Sequence, residues 1–305
     1  MSNANSITKP VKIKTSRMER QEFLIAMVFI SPWVLGLIAF TLSPICLSFY
    51  YSLTEYRVLS DPVFIGFGNY ANIFKDPIFR TALYNTGYIV LFGCSLTLFS
   101  ALVTAILLDA KQLKGLSFFR VAFFIPTLVP LIINCLLWMW LLQPDSGLIN
   151  AVLGFFGIKG ITWLGSPFWA KPALILMMIW GCGGTIIIFL AGLKDIPETL
   201  YESAALDGAN FLQRTIKITL PMLAPVILYN AVTLVIAAFQ WFAEPFVMTE
   251  GGPNNSTMFY SLLLYNNAFR FFRMGVASAM AWILLIIALT IIFLLFRGLS
   301  RFSPD

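Results

Sequence analysis

With 305 residues, 59% of them hydrophobic and 15% aromatic, and with charged side chains at only 11%, the chain falls far outside the range of soluble domains, where charged residues make up roughly 25%. The net charge is +6 and histidine is absent altogether, which removes imidazole acid–base work, His-activated nucleophiles and histidine metal ligation. Composition therefore predicts an integral membrane protein and argues against a conventional hydrolase.

Backbone hydrogen bonding in hydrocarbon admits only helices or closed barrels, and one helical crossing takes about 20 apolar residues. The apolar runs here are long enough to exclude a barrel. The expected fold class is all-α: a polytopic membrane protein of about six transmembrane helices. Residues 1–21, with Lys9, Lys12, Lys14, Arg17 and Arg20, read as an uncleaved cytoplasmic tail, because the run that follows is too long for a signal peptide and lacks a small-residue cleavage site. Spans are predicted at 22–48, 84–108, 117–142, 171–193, 221–247 and 275–297, within a membrane domain of 22–297 followed by a tail at 298–305. On this scheme five Lys and Arg fall in the first tail, three near the second–third loop, three in the fourth–fifth loop and two at the C-terminus. That majority of the 20 makes the side of both termini cytoplasmic.

The outer segment 49–83 carries Gly66, Gly68, Asn69-Tyr70 and Asp76-Pro77, a turn-rich composition that predicts a short ordered loop. The segment 143–170 opens on Pro144-Asp145-Ser146-Gly147 and contains Trp163 and Trp169; a short interfacial helix anchored by the indoles is expected. Breakers interrupt several spans: Pro32 and Pro44, Pro126 and Pro130, Gly181-Cys182-Gly183-Gly184, and Pro225. They usually mean kinks or close packing, and together they suit a bundle that rocks or opens. Cys46, Cys94, Cys135 and Cys182 lie in apolar runs and read as packing residues.

One long polar interruption, Glu202–Pro221, still reads as ordered. Pro197 stands where a helix can begin, Glu198 and Glu202 fall in its early turns, and Gly208 can end it. A second short helix, from about Phe211 to Ile218, ends at Leu220-Pro221. Ala204 and Ala205 leave little bulk, while Glu202 and Asp207 place charge at the edges, so the pair forms a helix–turn–helix knob suited to docking.

Glu202-Ser203-Ala204, Gly208 and Ile218-Thr219-Leu220-Pro221 resemble the EAA signature, E-A-A-x(3)-G-x(9)-I-x-L-P, of the membrane subunits of bacterial ATP-binding-cassette importers. Ser203 replaces the first alanine, small for small. Thr249-Glu250-Gly251-Gly252-Pro253 with Thr257 resembles the T-x-G-G-P segment of permeases for oligosaccharides, glycerol phosphate and polyols. Phe67-Gly68-Asn69-Tyr70, Arg120 with Pro126, Gly147-Leu148-Ile149-Asn150 and Tyr201 through Ala209 extend the likeness over almost the whole chain, which is similar to shorter relatives of the maltose permease subunit.

This resemblance implies a type I importer permease fold with a cytoplasmic coupling loop at 194–220, in a bacterial inner membrane with both termini cytoplasmic. It implies a heterodimer with a second homologous permease, two cytoplasmic ATPase subunits, an extracytoplasmic solute-binding protein and a sugar substrate; no nucleic acid is involved. The chain itself is then non-catalytic and holds no cofactor or metal. It has no G-x(4)-G-K-[ST] loop to cradle nucleotide phosphates, so ATP and magnesium belong to the partner ATPases.

In the family the knob sits in a cleft of the ATPase, and nucleotide-driven closure there reorients the spans. By this likeness Glu202 contacts a basic residue of the ATPase, Gly208 makes the bend, and Ser203, Ala204 and Ala205 permit close docking beside Asp207. Leu220-Pro221 joins the knob rigidly to the fifth span. The same likeness puts Trp180, Gly181, Gly184, Ala237 and Ala238 on the path, and Thr249, Gly251, Gly252 and Pro253 near the outer gate and the docked binding protein.

Read from the residues themselves, Glu244 is costly in an apolar span and must face a partner or water. Gln240 lies one turn before it and Trp241 three residues before it, so amide, indole and carboxylate can share a helix face, a chemistry suited to sugar hydroxyls and an apolar ring face. The alternative places Glu244 at the membrane edge, paired with Arg270 or Arg273. Asn134 and Trp138 form another polar–aromatic pair, for substrate or for helix packing. An ion-coupled secondary transporter of a small polar solute is the competing class, but it needs coupling groups inside the spans and inverted repeats, and apart from Glu244 such groups are scarce. A membrane enzyme needs a cluster of catalytic acids or histidines, and the sequence contains none.

Overall fold

The computed structural model describes residues 17–109 and 115–299. Most of the predicted tails at 1–21 and 298–305 lies outside the described residues. The chain divides into two units, 1–50 and 51–305.

In the first unit the helix begins at Arg17, ahead of the predicted span, and runs to Leu37. A wider π turn follows at Ile38–Leu42, and the α-helix resumes at Ser43. Pro44 has no amide for the carbonyl of Phe40, four residues back, and its ring crowds that oxygen; widening the turn relieves both problems.

In the second unit Pro77–Asp109 and Met274–Gly298 are unbroken helices long and apolar enough to cross a membrane. The former starts at Pro77 rather than at 84. Asp76, expected to mark a turn, is instead an N-cap whose carboxylate accepts from the Ile78 amide at 2.8 Å, with Pro77 in the first turn. The three remaining spans are bent pairs: Leu116–Leu128 with Leu131–Leu141 at 103°, Ala170–Trp180 with Gly183–Lys194 at 46°, and Phe211–Met222 with Ala224–Phe239 at 68°. Pro130 explains the first bend, because its ring holds the preceding Val129 in an extended conformation (φ −72°, ψ 125°). Gly181 and Cys182 form the second. At the third, Pro225 withholds the amide that the Pro221 carbonyl would take.

The fifth span also departs from its predicted bounds of 221–247. Its helix covers Ala224–Phe239, and a separate short helix, Ala243–Met248, follows an interruption at 240–242. Small residues set the crossings between spans. Ala101 and Ala105 are wholly buried in one cluster with Ile186, Phe189 and Leu190 of span four. A Cβ at Gly183 would overlap the Phe123 carbonyl oxygen, so only glycine lets spans three and four meet there. Cys94, Cys135 and Cys182 are buried, in keeping with packing roles, whereas Cys46 is exposed.

The outer segments are ordered by their own polar side chains. Strands β1 (Thr54–Glu55) and β2 (Val63–Phe64) pair antiparallel, and Asn69 donates to the carbonyls of Ser52 and Thr54 at 2.9 and 2.8 Å. The expected short helix in 143–170 is Leu148–Phe155. Asn150 staples this segment: its amide donates to Pro144 and Ile161 carbonyls, and its oxygen accepts from the Ile161 amide and the Trp163 indole. The Trp163 ring nitrogen is thus committed to the loop's own fold.

Candidate functional site

A cavity of about 480 Å³ lies where three helix interruptions meet. Its walls carry Pro126, Thr127 and Val129 at the break in span three, Gly181 and Cys182 from the break in span four, Trp241 from the break beyond span five and Glu244 from the short helix after it. Unwound backbone leaves peptide groups without helical partners, and inside a membrane this is tolerated only against protein or where the chain lines a water-accessible space. Two side chains on the wall add to the demand. Among the described residues, buried Thr97 Oγ1 and Asn134 Oδ1 have no hydrogen-bond partner, and the same holds for the indole nitrogen of Trp138, one turn beyond Asn134. Such atoms are expensive to leave unbonded, and a polar partner at these walls would satisfy them. Glu244 supplies a carboxylate, and no described lysine or arginine lines the space.

Of the residues expected on the path, Asn134, Gly181, Ala237, Ala238, Trp241 and Glu244 line this cavity. Trp138 and Trp180 stand outside its lining but pack edge to face, with ring centroids 5.8 Å apart. Gly184 faces open space, and its neighbour Gly183 makes the close approach instead. The expectation for Gln240 is corrected. The helix stops at Phe239, Gln240 is its exposed C-cap, and the interruption removes the helical spacing that would have aligned it with Trp241 and Glu244. The alternative pairing of Glu244 also fails: Arg270 reaches Glu250 at 3.5 Å and stands over the Phe246 ring, while Arg273 stands over Phe271.

The knob is a helical hairpin. Its first helix, Glu198–Leu206, ends in a Schellman motif: Gly208 N donates to Ala205 O at 3.0 Å and Ala209 N to Ala204 O at 2.9 Å. Gly208 takes φ +73°, the left-handed conformation that favours glycine. Asn210 then opens the second helix with a capping box, its side chain accepting from the Gln213 amide while Gln213 accepts from the Asn210 amide, both at 2.9 Å. This helix reaches Met222 rather than Ile218. It widens to a π turn at Thr215–Thr219, ending two residues ahead of Pro221, as the π turn in span one ends two residues ahead of Pro44. Tyr201 and Thr219 hydroxyls meet at 2.9 Å and tie the two helices together. The chain bends by 68° just beyond Leu220-Pro221, at Leu223.

Ala204 is half-buried, and Glu202, Ser203, Ala205, Asp207 and Gly208 are exposed. Leu206 is 90% exposed, with Phe211 and Leu212 above 60% or at it, so the hairpin presents apolar side chains as well as small ones. A groove of about 600 Å³ behind it is lined by Glu202, Ala205 and Arg214 together with Asp109 and Lys194.

At the opposite end of the fifth span, Thr249–Thr257 forms a tight loop. The Thr257 hydroxyl bonds to Gly252 O and to Thr249 Oγ1, both at 2.7 Å, and Gly252 N donates to Thr249 O at 2.8 Å. Gly251 has φ +89° and Gly252-Pro253 is cis. Residues that the sequence reading did not single out hold this loop in place. Asn85 of span two donates to the Asn255 and Met258 carbonyls at 2.8 and 3.1 Å and accepts from Lys171 Nζ at 3.0 Å. Thr86 accepts from the Tyr260 amide at 2.9 Å. The Lys171 ammonium lies over the rings of Tyr84 and Tyr88.

Bent spans thus surround the cavity, with a projecting hairpin at one end of span five and a tight loop at the other. Residues 110–304 match the family model described as binding-protein-dependent transport system inner membrane component, and the chain belongs to that family. It is 39% identical to the probable ABC transporter permease protein YesP of Bacillus subtilis, over 94% of each chain. Identity is 34% with the lactose transport system permease protein LacF of Rhizobium radiobacter, over 88% of this chain and 92% of that one. It is 30% with the trehalose/maltose transport system permease protein MalF of Thermococcus litoralis, over 95% and 98%. The fold matches the crystal structure of a bacterial ABC transporter involved in import of the acidic polysaccharide alginate, with a TM-score of 0.75 at 23% identity over 94% of this chain and 98% of that one. The protein is therefore a non-catalytic inner-membrane permease subunit of an ABC transport system, with the importer-permease fold that its EAA segment implied.

Proposed function

We propose that the chain, paired with a second homologous permease, forms the path by which a carbohydrate enters the cell, delivered by an extracytoplasmic binding protein and driven by two cytoplasmic ATPases holding ATP and magnesium. The observation that carries this reading is the cavity at the three interruptions. A sugar offers hydroxyls that donate and accept, and ring faces that are apolar. Glu244 accepts, Asn134 and Thr97 hold unsatisfied polar atoms, and Trp241 supplies an aromatic face beside them. The lactose and trehalose/maltose permeases among the relatives support the same class of cargo.

On this reading the hairpin is the contact with an ATPase: Ala205 and Leu206 are exposed for close docking, and Glu202 meets a basic residue there. The locked Thr249–Thr257 loop faces the docked binding protein. The same reading puts both termini in the cytoplasm. The decisive experiment is uptake of labelled oligosaccharides into proteoliposomes carrying the assembled transporter. Uptake that requires internal ATP and the binding protein, and that survives an uncoupler, is expected; uptake independent of ATP and abolished by the uncoupler would establish an ion-coupled carrier instead. Glu202→Lys is expected to abolish uptake and loosen ATPase association while the chain still inserts in the membrane.

A further inference from the structure

A second cavity, of about 390 Å³, opens between spans three and four. Phe123, Phe124, Ile187 and Leu190 are among its apolar walls, and Arg120 and Lys194 are its charged residues. Arg120 stands in the second turn of Leu116–Leu128. Lys194 ends Gly183–Lys194, four residues before the coupling hairpin begins at Glu198, so the charged end of the cavity lies on the hairpin side. Among the described residues neither cation is ion-paired, and Arg120 Nε is buried with no hydrogen-bond partner. No described carboxylate lines this cavity; Lys194 also borders the hairpin groove, where Asp109, Glu198 and Glu202 stand, so Arg120 is the cation that only this cavity serves. A buried guanidinium atom left unbonded beside an ammonium is short of an anion.

The rest of the lining decides which anion. A free phosphate would satisfy the two cations but leave Phe123 and Ile187, 43% and 45% exposed, uncovered. A phospholipid satisfies both ends. We propose that this cavity is a site for one anionic phospholipid, with its phosphate on Arg120 and Lys194 and an acyl chain along Phe123, Ile187 and Leu190. Anionic lipid is the natural ligand of basic pockets between spans at the cytoplasmic surface.

The test uses the assembled transporter, exchanged into nanodiscs of equal phosphatidylglycerol and phosphatidylcholine, with retained lipid counted by native mass spectrometry. Wild type should retain phosphatidylglycerol preferentially. Lys194→Gln, an exposed helix-end change that disturbs no packing, should weaken that preference about fivefold, and Arg120→Gln with Lys194→Gln should remove the component due to this site. Arg120→Lys should keep most of it. Unchanged retention in Lys194→Gln and in the double variant, at a matched melting temperature, would overturn the proposal. Displacement of the retained lipid by excess inorganic phosphate would overturn it in favour of a simple anion site. No phosphatidylglycerol preference in the wild-type complex would do so as well, as it would if the second permease covers this face.

Discussion

Gly208 offers the sharpest test of how the hairpin works. Its φ of +73° costs an L-residue about 1–2 kcal/mol, while a Cβ placed there would meet nothing within 4 Å. Gly208→Ala therefore acts through the backbone alone. It should lower the population of the native bend by about 5–30-fold, the factor equivalent to that cost, and loosen both helices at their shared Schellman and capping-box junction. Gly208→Asn adds more bulk but tolerates the left-handed region, so it should be the milder change. The assay is ATP-driven uptake, with retention of the ATPase during purification as a second readout. Uptake should fall in the order glycine, asparagine, alanine. If alanine equals wild type, the bend is not what the glycine provides; if asparagine is the worse of the two, steric docking against a partner is.

Glu244→Gln keeps the shape of the cavity wall but removes a charged acceptor; with charge-assisted bonds worth about 1.5–3 kcal/mol, uptake should fall about tenfold or more while ATPase association is unchanged. Asn85→Leu strips the Asn255 and Met258 carbonyls of their donor, at about 1–3 kcal/mol for each unsatisfied group; the melting temperature of the purified complex should drop, and stimulation of its ATPase by the binding protein should weaken. Gly183→Ala forces a methyl group against the Phe123 backbone and should cost about 1–3 kcal/mol of stability, whereas Gly184→Ala next to it, facing open space, should be silent in the same thermal unfolding measurement.

The spans were legible because hydropathy is a local quantity, and the hairpin because its caps are. Gly208 acts within five residues of its partners, so spacing alone exposed it, whereas the equally local capping box of Asn210 and Gln213 was not singled out. The interruption at 240–242 left a single such trace, Pro245, which withholds the amide that the Trp241 carbonyl would take. Phe242, Ala243, Pro245, Phe246 and Val247 continue the apolar run, and hydropathy cannot distinguish a helix from a break with apolar residues in it. Gln240 was misplaced for that reason. Asn85 and Thr86 escaped for another: their partners lie some 170 residues away in sequence, and the only local sign was a pair of polar side chains inside an apolar helix. Asp76-Pro77 was a matter of competing meanings, since the same dipeptide that turns a loop also caps a helix.

The interruptions also bear on how a push at the hairpin can reach the cavity. Leu223, wholly buried at the 68° bend, packs in one cluster with Phe189, Leu193 and Ile196 of and just beyond span four. At Gly192 a Cβ would stand 2.9 Å from Val226 and 3.0 Å from Leu223, so the start of span five is seated against span four without room to slide freely. A displacement of the hairpin must then carry the segment Gly183–Lys194 with it. That segment is a rigid rod of about 18 Å at 1.5 Å per residue, and its other end is the break at Gly181 and Cys182, which lines the cavity. Had span four been one continuous helix, the same push would have tilted the whole span. With a break at its centre, the rod can pivot there, and the motion appears as a change in the distance between Gly181 and the Val129 break on the facing wall. On the proposed function, the break at Gly181 and Cys182 is thus placed where loss of helical continuity would convert a movement outside the membrane into a change of shape around the cavity.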